Sequence, residues 1–198
     1  MNTESPPSAL ILASTSQYRK SLLQKLALPF SCESPFIDEH AHSGESPAEL
    51  VVRLAAEKAH CVAQKHPHAI VIGSDQVAVF EQNVVGKPGD HVAAAKQLAA
   101  FSGGEVEFLT CVSVQCLDTH FSEQYTDSTR VVFRTLEVAE IERYLLEEKP
   151  YDCAGAFKAE SLGIVLFDSI LSEDPSALIG LPLIKTAELL RRLGFRLP

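Results

Sequence analysis

The chain has 198 residues, 46% of them hydrophobic and 22% charged, which suits one large domain or two closely packed lobes and excludes wholesale disorder. A formal net charge of -9 disfavours nonspecific binding to nucleic acid or to an anionic membrane, because both need a basic surface. Five cysteines, an odd count with no C-x-x-C pair, indicate neither a disulfide framework nor a standard zinc site and read as buried thiols of a reducing cytoplasm.

Residues 1–8 read as a loose polar tail and 9–198 as a single domain. The apolar run at 9–13 is too short for the core of a signal peptide or for a membrane span. Leu10-Ile11-Leu12-Ala13 predicts a first buried strand. Ser14-Thr15-Ser16 follows as a hydroxyl-rich turn, and Leu22, Leu23 and Leu26 at helical spacing predict a helix continuing toward Leu28. The free N–H groups of such a helix start face the turn and suit phosphate, and Arg19 and Lys20 add positive charge; a plain capped helix with surface basic residues fits the same residues. Residues 30–35 read as extended. In Asp38-Glu39-His40-Ala41-His42 the two imidazoles make a weak metal site, whereas Glu39 or Asp38 offers the oxygen that Mg²⁺ or Mn²⁺ prefers.

Ser46-Pro47-Ala48-Glu49 is a helix start, with Ser46 as cap, Pro47 in the first helical position and Glu49 completing a capping box. The stripe Leu50, Val51, Leu54, Ala55, Cys61 and Val62 carries that helix to near Lys65. Lys58 lies beside the apolar face, one turn from Leu54, either snorkelling or reaching into a site. Ile70-Val71-Ile72-Gly73-Ser74-Asp75-Gln76-Val77 reads as a buried strand with Asp75 where the backbone is expected to open into a loop. A carboxylate there binds metal, takes a proton from water, or simply closes the strand in an Asx-turn. The chain continues extended over 77–80, turns at 81–83, returns at 84–85, and projects Lys87 from Gly86-Lys87-Pro88. A helix over 91–101 stops at Ser102-Gly103-Gly104, and 106–117 with 121–133 reads as a long antiparallel pair. A charged, exposed helix over 139–148, a small-residue stretch holding Lys158 and Glu160, a buried strand at 163–167 and a last helix from Pro182 to Arg192 complete an α/β pattern.

Five separated loops or helix ends thus carry Ser14 with Ser16, Arg19 and Lys20, then Glu39, Lys58, Asp75 and Lys87. Basic groups plus two carboxylates in an acidic protein fit the holding of a triphosphate with a divalent cation, Asp75 orienting or deprotonating water. The chain resembles the Maf nucleoside triphosphate pyrophosphatases. The resemblance rests on Leu12-Ala13-Ser14-Thr15-Ser16 with Arg19, Asp38-Glu39, Glu57-Lys58-Ala59, Gly73-Ser74-Asp75, Gly86-Lys87-Pro88, Ala154-Gly155-Ala156-Phe157 and Gly180-Leu181-Pro182, in that order along the chain. It implies an elongated two-lobed α/β fold like that of inosine triphosphatases, with a mixed sheet and a central cleft. It also implies hydrolysis of a nucleotide to the monophosphate and pyrophosphate, in a homodimer with Mg²⁺ or Mn²⁺. Catalysis falls on Asp75, phosphate binding on Ser14, Ser16, Arg19, Lys20, Lys58 and Lys87, and metal binding on Glu39 and Asp75.

Tyr18, Gln76 and Glu160 depart from the pattern of members acting on dTTP and UTP and resemble the subgroup that cleaves 7-methyl-GTP. Guanine offers two adjacent donors that one carboxylate accepts together, and a base made cationic by methylation favours an aromatic face and a nearby carboxylate. Lys20 stands where the family usually has Arg, and Gln17 where Pro is common. Two rival readings are a dTTP or UTP pyrophosphatase of the same family and a nucleotide-binding regulator of cell division with little turnover. The partners expected are a small-molecule nucleotide and a second copy of the chain, without nucleic acid or membrane, in the cytoplasm.

Overall fold

In the computed structural model, which describes residues 9–197, the elements run β1 (Leu10–Ala13), α1 (Gln17–Gln24), β2 (Ser31–Glu33), α2 (Pro47–Ala63), β3 (Ile70–Phe80), β4 (Asn83–Val85), α3 (His91–Phe101), β5 (Glu105–Cys116), β6 (Phe121–Phe133), α4 (Val138–Glu148), β7 (Phe167–Leu171) and α5 (Leu183–Arg192). Short 3₁₀ turns at Ala154–Ala156, Leu162–Leu166 and Ala177–Ile179 link the later elements. The seven strands form one mixed sheet in the order β2-β1-β3-β5-β6-β7, with β4 on β3 off that path. β1 pairs in parallel with both β2 and β3, and the β3–β5, β5–β6 and β6–β7 pairs are antiparallel.

β1 and the opening Ile70, Val71 and Ile72 of β3 are all apolar because helices cover both faces. Leu10, Leu12, Ile70 and Ile72 pack toward α1 and α5, while Ile11, Ala13 and Val71 pack against Ala59, Val62 and Ala63 of α2. A second large cluster, around Phe101, Phe108, Phe133 and Leu145, gathers α3, α4 and the far ends of β5 and β6. β3 runs from the first lobe into the second, where Ala78 joins that cluster, so its central residues lie between the two. The Ser46 capping box forms as the sequence predicts, its hydroxyl accepting from the Glu49 N–H and the Glu49 carboxylate accepting from the Ser46 N–H.

Several local expectations are corrected. The first helix ends at Gln24, and the chain turns through Ala27 at φ 54° rather than continuing to Leu28. Asp75 is not at a strand end: β3 is continuous from Ile70 to Phe80, and Asp75 pairs with Cys111 of β5 in mid-strand. Residues 163–167 are not a buried strand. A Cβ on Gly163 would lie 2.4 Å from the Lys158 carbonyl, and the Gly163 N–H donates to that carbonyl at 3.1 Å, so the chain turns tightly there. The strand forms later, as the largely exposed edge strand β7. α4 is charged outside but buries Ile141, Tyr144 and Leu145 against the second cluster. The loose tail expected over 1–8 lies outside the described residues. All five cysteines are free thiols, but the expected burial holds only for Cys111 and Cys116: Cys61 and Cys153 are half-buried, and Cys32 is exposed on the edge strand β2.

Candidate active site

The site begins with a missing side chain. A Cβ on Gly73 would stand 2.3 Å from the Ala55 carbonyl and 2.6 Å from the Ala59 nitrogen, so only glycine lets α2 lie this close to β3. That approach brings Lys58 of α2 to Asp75 of β3. Lys58 Nζ donates to Asp75 Oδ1 at 2.7 Å and reaches Glu39 Oε1 at 2.8 Å. Lys58 is 5% exposed and Asp75 6%, so the lysine is neither snorkelling nor solvated; it reaches into the site. Asp75 Oδ2 carries no hydrogen bond among the described residues and belongs to a side chain that lines a cleft of about 840 Å³. Burial alone pushes the Glu39 carboxyl up, but the Lys58 hydrogen bond and the charges of Lys58, Arg19 and Lys87 hold it below the usual glutamate range.

The turn between β1 and α1 forms the facing wall. Ser14 Oγ accepts from the Ser16 N–H at 3.1 Å, and Ser16 caps α1 by accepting from the Arg19 N–H. Arg19 Nε donates to the Gly180 carbonyl at 2.9 Å. Burial lowers the Arg19 pKa, against the opposing pull of the Asp75 and Glu39 carboxylates. Ser14, Ser16, Arg19, Glu39, Lys58, Asp75 and Lys87 line the one cleft, although they come from well-separated parts of the chain. Lys20 is exposed and lines an adjoining recess that shares Ser14, Thr15, Ser16 and Gln17 with the cleft.

Tyr18, Gln76 and Glu160 line the same cleft. The Tyr18 hydroxyl meets the Cys153 thiol at 3.7 Å; burial, then that contact, pushes the phenol up and keeps it neutral. Burial also pushes the Cys153 thiol up to about 11. Glu160 is exposed and has no hydrogen bond or ion pair among the described residues. Gln76 Nε2 donates to Thr110 Oγ1 and to the carbonyls of Ala177 and Leu178, at 2.9, 3.0 and 3.1 Å.

Three supporting groups escaped the sequence reading. Ser74, wholly buried, bonds the carbonyls of Cys111 and Gly180 at 2.8 and 2.9 Å, and so fixes the carbonyl that Arg19 uses. Arg53 clamps the loop carrying Glu39: it donates to the His40 carbonyl and forks onto Glu45 at 2.6 and 2.8 Å. Asp127 and Asp174, both buried, hold the segment leading to the 177–180 turn, with Asp174 accepting from the Ser176 and Ile184 N–H groups. The capping-type spacing Asp174-x-Ser176 is the one local signal that pointed to any of these.

For a divalent cation, the donor set is Glu39 and Asp75, two hard carboxylate oxygens converging on one lysine. No group of three or more His, Cys, Asp or Glu side chains able to hold a metal exists among the described residues. Two carboxylates fit Mg²⁺ or Mn²⁺ where substrate phosphate and water complete the coordination, as is usual for phosphate-bound Mg²⁺. Asp38 and His40 instead bond each other on the surface at 2.5 Å, away from the cleft.

The family description "Maf-like protein" matches residues 9–193 of the chain. The chain belongs to the Maf family. Relatives of this Maf chain include the 7-methyl-GTP pyrophosphatase of Xanthomonas axonopodis pv. citri, 53% identical over 96% of this chain and 98% of that protein. The 7-methyl-GTP pyrophosphatase of Hydrogenovibrio crunogenus is 48% identical over 100% of this chain and 99% of its own length. Among solved structures, the Ham1 protein of Staphylococcus aureus aligns with 65% of the Maf chain and 73% of its own, at 15% identity and a TM-score of 0.46.

Proposed function

We propose that this Maf chain is a nucleoside triphosphate pyrophosphatase that hydrolyses 7-methyl-GTP to 7-methyl-GMP and pyrophosphate. The observation that carries the reading is that Tyr18, Gln76 and Glu160 line the same cleft as Lys58, Asp75 and Arg19, so one nucleotide can meet both groups. The name shared by relatives about half identical over nearly the whole chain supports it.

Arg19, Lys87, Ser14 and Ser16 bind the phosphates at the start of α1, where free N–H groups and positive charge coincide. Lys20, exposed on the adjoining recess, adds positive charge beside them. Lys58 engages Asp75 Oδ1 and leaves Oδ2 to accept the proton of the attacking water. Water oxygen bonds to phosphorus, the bridging P–O bond breaks, and its electron pair leaves with pyrophosphate. Glu39 and Asp75 would hold Mg²⁺ or Mn²⁺, which would supply neutralisation of the phosphate charge. Tyr18 offers its face to the cationic base, and Glu160 accepts its two adjacent donors.

No helix among the described residues is long and apolar enough to cross a membrane. The homodimer and the cytoplasmic setting belong to the proposal, supported by the family resemblance and by the five unpaired thiols. Pyrophosphate release from 7-methyl-GTP, GTP, dTTP and UTP, each with Mg²⁺ or Mn²⁺, tests the function. Preference for 7-methyl-GTP is the expected result. Preference for dTTP or UTP overturns the base assignment, and tight binding without turnover of any nucleotide overturns the enzyme.

A further inference from the structure

Thr110 is wholly buried on β5, directly across from Gln76 in the β3–β5 register, and does not line the cleft. Its hydroxyl accepts from Gln76 Nε2 at 2.9 Å and donates to the Ala177 carbonyl at 3.0 Å. The same Gln76 nitrogen faces the Ala177 and Leu178 carbonyls. Backbone carbonyls only accept, so the opposite orientation of the amide would set oxygen against oxygen twice. The orientation is therefore fixed by chemistry, and both amide hydrogens are used within the protein. Gln76 Oε1 has no partner among the described residues and is not among the buried unpaired atoms, so it opens into the cleft that its side chain lines.

We infer that Thr110 is a positioning residue for specificity: with the Ala177 and Leu178 carbonyls it locks Gln76 so that the cleft receives an acceptor and never a donor. This rests on the base-reading place given to Gln76 above. Gln76 Oε1 and the Glu160 carboxylate then make a wall of acceptors, which takes a base edge rich in N–H donors and rejects one whose single donor is flanked by carbonyls. Without the Thr110 hydroxyl the two carbonyls alone hold the amide, Oε1 is placed less firmly, and discrimination falls. Thr110 thus sets which nucleotide is chosen without touching it.

The test compares kcat/KM for 7-methyl-GTP and UTP in wild type, Thr110→Val, Thr110→Ser, Gln76→Leu and the Thr110→Val/Gln76→Leu double variant. Valine keeps the shape and removes the hydroxyl, and the ratio of the two substrates is expected to fall about fivefold, the worth of one ordinary hydrogen bond. Serine restores the hydroxyl and the ratio, and the double variant loses no more than Gln76→Leu alone. Equal loss on both substrates in Thr110→Val, with the ratio kept, marks a merely structural residue and overturns the inference. So does a double variant that loses the full sum of both effects. If Thr110→Val does not fold, Thr110→Ala carries the same comparison. Wild-type protein that prefers UTP defeats the functional reading and this inference together, whereas a wild-type preference for 7-methyl-GTP with a ratio indifferent to Thr110 defeats this inference alone.

Discussion

Lys58 holds Asp75 and Glu39 with charged hydrogen bonds of 2.7 and 2.8 Å, whereas Gln76, in the same cleft, is held by the neutral bonds of 2.9 to 3.1 Å that it donates to a hydroxyl and two carbonyls. The first group rests on a helix pressed against a strand at Gly73, the second on the Ala177–Ile179 turn. Charge buried between rigid elements is costly to disturb, because a broken partner leaves an unpaired ion in a poorly solvated place. Losing a neutral bond to a turn costs less, because no unpaired ion is left behind. Changes around Lys58 should therefore remove rate, and changes around Gln76 should alter choice.

The largest expected effect is in Asp75→Asn, which keeps the shape but removes the proton acceptor; kcat should fall roughly 10³-fold on every nucleotide, with their ranking kept. Steady-state pyrophosphate release checks it, and a variant that merely reorders the substrates would erase the contrast between the two groups. Gly73→Ala comes next. Its Cβ meets backbone atoms of α2, so the helix must retreat, at a cost of about 3 kcal/mol in a denaturant melt. The same retreat draws Lys58 from Asp75, so activity should fall while the 7-methyl-GTP to UTP ratio stays.

Glu160→Gln should do the reverse: the ratio drops about tenfold through KM, with kcat on 7-methyl-GTP little changed, as kinetics on the two substrates will show. The smallest effect concerns the clamp on the Glu39 loop. The Arg53 hydrogen bonds, then the His42 N–H, hold the Glu45 carboxyl down to about 2. A carboxyl with a depressed pKa in the folded state adds stability above the ordinary glutamate range, and that stability is lost as pH falls toward the folded value. Thermal melts of wild type and Glu45→Gln should therefore differ at neutral pH and converge as pH approaches about 2. A difference that persists at the lowest pH would mean the clamp acts by packing rather than by charge.

Local chemistry alone was enough for much of this protein. The apolar runs that form β1 and open β3, the capping box at Ser46 and Glu49, and the long β5–β6 pair follow from periodicity and capping rules that act within a few residues. The residues gathered in the cleft were legible as chemical types in ordered motifs, with Lys20 on the recess that adjoins it. What the sequence could not convey is contact at a distance. Asp75 sits in mid-strand because β5 continues the pairing past Gly73. Thr110 meets Gln76 across 34 residues, Gln76 meets Ala177 across 101, and Arg19 meets Gly180 across 161. Such contacts depend on strand register and on the path of a turn, which emerge only when the two lobes pack on the shared sheet. Composition and spacing therefore specified which groups are available for phosphate and base, and the tertiary structure alone decided which atoms of those groups are already bonded and which are left facing the cleft.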